Sequence, residues 1–528
     1  MHSLPSWYPA LGPLALFGVG LVSKVGARLP VRFILGLARY AALGTLGLAL
    51  ASLVIVSARG PFATETLGQA GIGVALYLDR LSALMFCLVA FIGVIVVNYS
   101  RNYLDGDPGQ SRFIRWLCLT LGAVLFIIIA GNLALFTLAW IATSLGLHRL
   151  LVFYPERPAA ILAARKKFIA SRLGELCLIG AAILLYQSFG SLDYGRLFAG
   201  AQAQAAAGTP VGPHGAALLI IVTGLLKSAQ FPLHGWLIEV METPTPVSAL
   251  LHAGIINAGG FLVVRFAHLI MLSTPALDVL AVVAGWTALF GSVVMLTQTS
   301  IKVSLAYSTI AQMGFMMLEC GLGVFSAAVL HILTHSLYKA HAFLSSGSVI
   351  DIARASWTPS PGGKPHPARL AIAIAAVLGT ALAVGSLFGA TPSAKPGVLA
   401  LGAVLLLGVI HLVANGLDER PNSFVVIRTV GLAIVVAVIY FGMQYAAERY
   451  LIGVLPASPA LQGPLELAII VGIVASFAAV TVLQTLLPRN SDEPRWEALY
   501  MPISHGLYVN TLANRLVLRV WPTRARSS

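Results

Sequence analysis

The chain has 528 residues, 58% of them hydrophobic and only 10% charged, with a mean hydropathy of +0.88. Soluble domains carry about 25% charged residues, so this composition excludes a soluble globular enzyme. The formal net charge of +14 is not a nucleic-acid footprint, because the basic residues fall in loops between apolar runs, where they set membrane orientation. Cys87, Cys118, Cys177 and Cys320 are widely spaced and show no C-x-x-C pattern. They read as small packing residues rather than iron–sulfur or zinc ligands. No basic segment precedes the first apolar run, so no cleavable signal peptide is expected.

Apolar runs of about 20 residues recur from end to end, each able to cross roughly 30 Å of hydrocarbon. The alternating ten-residue segments of a β-barrel are absent. The pattern predicts an all-α polytopic membrane protein with about fifteen spans, the range being thirteen to fifteen. In chain order they lie near 10–23, 33–57, 76–98, 113–130, 132–153 and 168–189. A longer run, 215–240, is interrupted at Pro232. The rest lie near 246–270, 277–297, 301–320, 323–350, 369–390, 397–415, 425–446 and 465–487. Ala201–Pro213 and Trp357–Pro367 read as loops, the second because of its prolines. The stretch 504–521 has apolar and basic residues at helical spacing and reads as a surface helix or a docking strip. The expected division is N-terminal spans over 1–112, a translocating core over 113–415, C-terminal spans over 416–487 and a tail over 488–528.

Loop charge gives an orientation. Loops after odd-numbered spans hold Lys24, Arg28 and Arg32; Arg101 and Arg112; Arg157, Arg165, Lys166 and Lys167; Arg354 and Lys364; and Arg420. Loops after even-numbered spans hold little beyond Arg59, Arg196, Lys395 and Arg449. The positive-inside rule then places the C-terminus in the cytoplasm and the N-terminus outside.

Three of the eight lysines, Lys227, Lys302 and Lys339, sit inside strongly apolar segments. A charge at the bilayer centre costs roughly 2.5–3.5 kcal/mol on insertion scales, so such residues mark ion or proton paths. Lys227 precedes Pro232 by five residues. Proline breaks or kinks a helix there, and broken helices at membrane depth are tolerated where they line a hydrated cavity. A lysine snorkelling to the interface is the bland alternative. His331, His335 and Lys339 are spaced i, i+4, i+8 and share one helix face. Imidazole titrates near neutral pH, so the row suits a proton relay. A zinc site is the other reading, and no neighbouring carboxylate or thiol is evident in sequence to complete it. Lys302 opens its span and reads as a path or snorkelling residue; His252 reads as a packed or relay histidine. Glu175 is the clearest carboxylate within an apolar helix, with Arg172 one turn earlier as its partner. Asp79 reads as the interfacial start of a span. No nucleotide, flavin or haem motif is present, so no cofactor is expected and any catalysis belongs to a partner.

The segments AQFPLHGWL, PTPVSALLHAG, LAYSTIAQMGFM and HILTHSLYKA resemble the antiporter-like proton-translocating subunits of complex I, hydrogenase-4 and Mrp-type antiporters. The resemblance runs from about Leu76 to Asp351. It implies two inverted five-helix repeats with broken helices around a hydrophilic axis. Lys227 then matches the broken-helix lysine, and Lys302, His331, His335 and Lys339 match basic residues of the axis. Two departures stand out. The fifth span of that superfamily carries a glutamate directly after a tryptophan, whereas Ile141 follows Trp140 here. The second half lacks a charged residue in its own broken helix apart from Lys395 beside Pro396. With a short tail as well, the chain is most similar to the membrane subunits of the DAB inorganic carbon transporter. That resemblance implies a bacterial inner-membrane subunit and a large zinc-binding partner, DabA, resembling a β-carbonic anhydrase. Ion flow through the membrane subunit would drive vectorial hydration of CO2. A pumping subunit of a complex I-like or hydrogenase-4-like oxidoreductase, or an Mrp-type cation/proton antiporter subunit, is the alternative.

Overall fold

The computed structural model describes residues 6–25, 29–207, 213–240, 243–345, 367–414, 423–461, 463–486 and 494–522. The helices in the first half are α1 (Leu11–Val25), α2 (Val31–Arg59), α3 (Arg80–Tyr103), α4 (Gln110–Ile129), α5 (Leu133–Leu151), α6 (Pro158–Phe189) and α7 (Tyr194–Ala207). The central elements are α8 (His214–Lys227), α9 (Gly235–Glu239), α10 (Thr245–Ala253), α11 (Ala258–Arg265), α12 (Ala267–Ile270), α13 (Thr274–Leu296), α14 (Ile301–Gly321) and α15 (Phe325–Leu344). The last are α16 (Pro367–Leu387), α17 (Pro396–Ala414), α18 (Ser423–Tyr450), α19 (Pro464–Leu486), α20 (Pro494–Ser504) and α21 (Val509–Val520). Among the described residues, nine helices are long and apolar enough to cross a membrane, and three shorter apolar helices accompany them. The protein is an all-α polytopic membrane protein.

Four short strands interrupt the helices between α2 and α3. β1 (Phe62–Ala63) pairs antiparallel with β4 (Tyr77–Leu78), and β2 (Leu67–Gln69) pairs with β3 (Ile72–Val74) through a turn at Ala70–Gly71. Both turn residues have positive φ, 51° and 75°, the geometry whose twist matches a two-residue hairpin.

Several boundaries differ from the sequence reading. Ala201–Ala207 is not loop but the end of α7, because its Ala/Gln composition favours helix. Residues 208–212, and the 357–367 stretch apart from Pro367, lie outside the described residues. The 246–270 run holds a candidate span over Thr245–Arg265, as expected, but its helix is interrupted by a 3₁₀ turn at Ile255–Asn257, since Gly254, Gly259 and Gly260 weaken the helix there. α6 starts ten residues before the expected 168, at Pro158, a residue suited to the first helical turn. In the tail, Leu507 and Tyr508 adopt positive φ, so the helix expected over 504–521 begins only at Val509.

The described residues fall into two compact units. One draws on Met1–Ala276, Ile332–Gly347 and Asn510–Ser528, and the other on Leu277–His331 and Ser348–Val509. In the first, a buried ion pair ties α3 to α11. Asp79 caps α3 by accepting from the Ser82 amide at 2.8 Å. Its two carboxylate oxygens receive both terminal nitrogens of Arg265, at 2.6 and 3.1 Å. Arg265 also donates to the Ser82 hydroxyl. Asp79 thus stands at the start of a span, as expected, and is buried, 2% exposed, with its partner 186 residues away. In the second unit, Lys395 forms an ion pair with Glu448 of α18, and Gln444 donates to Ser326 at 2.7 Å.

Breaking a buried pair by removing one partner typically costs about 3–5 kcal/mol, because the other charge stays buried alone. Arg265→Met is expected to lower the thermal midpoint of the purified protein strongly, and to do so more than Asp79→Asn. An unchanged midpoint in Arg265→Met would show that this pair does not hold α3 to α11.

Candidate functional site

α8 ends at Lys227, and the chain turns away through Ser228 and Ala229, whose φ is +49°. The last carbonyls of a helix carry partial negative charge and favour a cation in the final turn. Lys227 is 8% exposed, and its ammonium lies 4.7 Å from the Trp140 ring centroid on α5. That is the distance of a cation–π contact. Its Nζ makes no hydrogen bond to any described residue. The break after Lys227 is satisfied internally: Ser228 Oγ donates to the Ile256 carbonyl at 3.1 Å, and Gln230 Nε2 to the Ser228 carbonyl at 2.9 Å.

A charged cluster surrounds this lysine. Arg172 donates to Glu175 at 2.6 Å, as the i, i+3 spacing predicted. Glu175 lies within electrostatic range of Lys227 and Lys167. Lys167 is 2% exposed and donates to the Ser144 carbonyl at 2.7 Å and its hydroxyl at 3.1 Å. The same hydroxyl accepts from Arg172 at 3.2 Å. Two acceptor positions are all a serine hydroxyl offers, so both are used by Lys167 and Arg172. Lys167 and Lys227 line one small cavity together with Trp236 and Leu251. The face of α5 that approaches Lys227 thus offers Trp140 and Ser144, and the cluster's carboxylate comes from α6.

Other predicted residues form separate groups. His252 is fully buried on α10, stacked on Phe343 of α15 at 4.3 Å between ring centroids, and within electrostatic range of Lys339. Lys339 is fully buried, and His335, one turn earlier, is 5% exposed. Asn257, in the 3₁₀ turn, donates to Ser336 at 2.8 Å and to the Ala253 carbonyl at 3.2 Å. His331 belongs to the second unit. Its Nδ1 lies 3.0 Å from Glu319 Oε1, so a carboxylate does stand beside it. Among the described residues no group of three or more His, Cys, Asp or Glu is arranged to hold a metal ion. Lys302 is exposed at the second position of α14.

The sequence reading assigned Lys166 and Lys167 to a cytoplasmic loop. Both are buried within α6, at 8% and 2% exposure. Lys166 Nζ contacts Glu239 Oε2 of α9 at 2.6 Å, and donates to Asn510 at 2.7 Å and Asn514 at 2.6 Å of α21. Both asparagines return a hydrogen bond to Glu239 Oε1, at 3.1 and 2.8 Å. The tail helix therefore docks on its own chain, at the end of the broken segment. The approach is close enough that any Cβ at Gly235 would fall 2.0 Å from Asn510. Asparagines at i, i+4 on an otherwise amphipathic helix were the available signal.

Comparison with known proteins matches residues 130–357 to the family described as NADH:quinone oxidoreductase/Mrp antiporter, transmembrane, and residues 66–114 to the chain 5 N-terminus of NADH-ubiquinone oxidoreductase (complex I). A Halothiobacillus neapolitanus protein named probable inorganic carbon transporter subunit DabB2 is 40% identical over 458 residues, covering 86% of this chain and 82% of its own. A Hydrogenovibrio crunogenus protein named probable inorganic carbon transporter subunit DabB is 38% identical over 451 residues, 84% and 83% of the two chains. A chain in the solved Mrp complex from Dietzia sp. superposes with a TM-score of 0.60 at 22% identity, covering 98% of this chain and 61% of that one. At that identity the likeness shows the fold alone.

Replacing Asn510 and Asn514 together by alanine leaves Lys166 and Glu239 with unmet hydrogen bonds, at about 1–3 kcal/mol for each buried group so exposed. Limited proteolysis of the tail is expected to accelerate several-fold in this variant. Cleavage at the wild-type rate would show that these asparagines do not hold α21.

Proposed function

The chain belongs to the family of DabB inorganic carbon transporter subunits, and from that premise we propose that it is the ion-conducting membrane subunit of an energy-coupled CO2/bicarbonate uptake complex. Its partner in this reading is a large, zinc-binding, DabA-like subunit with carbonic-anhydrase-like chemistry. A proton or sodium gradient across the bacterial inner membrane drives the cycle. The subunit spans that membrane many times, with its N-terminus periplasmic and its C-terminus cytoplasmic. The relatives' names as subunits support membership of a multi-subunit complex.

The observation that carries the reading is Lys227: a buried ammonium at the end of a broken helix, held by a ring face and by no hydrogen bond among the described residues. Such a group can take and release a proton without breaking a fixed pair. His252, His335 and Lys339 extend titratable groups toward α15, and we assign them to the same path. Glu175 tunes its entry. His331 and Lys302 are proposed as ion-path residues of the second unit by itself. Because Ile141 stands where the wider superfamily has a glutamate, an independent antiporter cycle is the weaker alternative.

Two outcomes test this. In cells that depend on the chain and its zinc-containing partner for growth in air, Lys227→Ala is expected to abolish inorganic carbon accumulation while assembly persists. Full accumulation in that variant would remove Lys227 from the path. In the wild type, a protonophore stops accumulation if the ion is H⁺ and a sodium-selective ionophore if it is Na⁺. The chain alone in liposomes is expected to show no robust cation-coupled proton exchange on a pH-sensitive dye. Robust exchange would favour the antiporter reading.

A further inference from the structure

Lys167 is a second buried lysine at the Lys227 cavity, and its surroundings are short of negative charge. The ionisable groups facing it are Arg172 and Glu175 on α6, Lys227 on α8, and His148 on α5. On the neighbouring α9, Glu239 is engaged by Lys166, and α10 offers only His252. Glu175 is thus the carboxylate of the cluster, and Arg172 holds it at 2.6 Å. Arginine does not give up its proton in proteins, whereas a buried lysine can. Two ammonium groups lining one cavity, with a single carboxylate near both that is already paired to Arg172, repel each other at low dielectric. The cluster relieves that excess if one lysine is neutral while the other is charged.

Lys167 is built for both states. As an ammonium it donates to the Ser144 carbonyl and hydroxyl, as observed. As a neutral amine it still donates to the carbonyl. Its lone pair then accepts the Ser144 O–H, which turns toward it.

We propose that Lys167 and Lys227 share a single proton across their common cavity, Lys167 serving as its alternate site and replacing the carboxylate absent at Ile141. In the transfer an N–H bond at Lys167 Nζ breaks and one at Lys227 Nζ forms, leaving the cluster's total charge unchanged. The proposal deepens the ion-path reading above and rests on it.

The test uses the chain assembled with its zinc-binding partner, comparing wild type, Lys167→Gln, Lys167→Arg and Lys227→Ala for co-purification, transport rate and pH profile. Both Lys167 variants are expected to assemble and to lose at least tenfold in rate. Their pH optima are expected to shift in opposite directions. Gln removes the repulsion, so Lys227 keeps its proton to higher pH and the optimum rises. Arg makes the repulsion permanent, so Lys227 is protonated only at lower pH and the optimum falls. Wild-type rate and profile in Lys167→Arg would reduce Lys167 to a fixed positive charge. Wild-type behaviour in Lys167→Gln would reduce it to a hydrogen-bond donor. Either result overturns the proposal. If neither variant assembles, Ser144→Ala keeps both lysines and removes only the hydroxyl, and an unshifted profile there overturns it too. Transport by Lys227→Ala at full rate would overturn the path reading itself, whereas a dead Lys227→Ala beside active Lys167 variants rejects only the shared proton.

Discussion

Hydrocarbon offers no partner to a backbone amide or carbonyl, so a membrane chain may leave the helix only where protein groups satisfy what is exposed. Every feature of the site follows from how this chain meets that constraint twice in quick succession. The first break follows Lys227 and the second lies at Ile255–Asn257, and they satisfy each other. Ser228 in the first donates to the Ile256 carbonyl in the second. The helices behind them approach so closely that a Cβ at Gly259 would fall 2.5 Å from the Gly224 carbonyl. Because the breaks are closed by one another and by Gln230 and Asn257, the Lys227 ammonium is not conscripted to cap them. It makes no hydrogen bond to any described residue.

Buried charge is used in two ways in the first unit, and hydrogen-bond count separates them. Arg265 and Asp79 are matched one to one, bidentate, with Ser82 taking a further donor. Such a pair is neutral and expensive to open, as suits a fastening. Around Lys227 the counts do not match. Lys167, Arg172 and Lys227 share one carboxylate, and the Ser144 hydroxyl accepts from both Lys167 and Arg172. A hydroxyl can turn, and a lysine can be neutral. The fastening is therefore built from arginine, and the Lys227 cluster from lysines and a serine around one ion pair.

The sequence made the membrane class, the break near Pro232 and the Arg172–Glu175 pair legible, because each depends on composition or on residues within a few turns. It failed where partners are distant or where a helix began earlier than its hydropathy did. The partner of Asp79 was missed because Arg265 is 186 positions away. Lys166 and Lys167 looked like loop charge because they follow Arg157 and Arg165, yet the helix already starts at Pro158. Glu319 was passed over within an apolar run because nothing local shows that His331 faces it. The second break hid inside a span whose hydropathy is uninterrupted, marked only by Gly254 and the two glycines after Asn257.

The tail completes the same logic at the other end of the broken segment. α9 has five residues, too few to persist as an isolated helix. Its upstream side is tied by the Ser228–Ile256 bond, but its downstream end carries Glu239, whose burial needs compensation. Lys166 supplies the charge, and Asn510 and Asn514 supply the remaining donors and acceptors. Arg165 adds a bond to the Trp521 carbonyl at 2.6 Å, with its guanidinium over the Trp521 ring. α21 thus fixes the short helix from outside, while Leu512, Leu516 and Val520 remain exposed on its other side. A displacement of α21 would strip Glu239 and Lys166 of their amides and loosen α9, whose Trp236 walls the Lys227 cavity. The tail and the lysine site thus meet at α9, which contacts α21 through Glu239 and the cavity through Trp236.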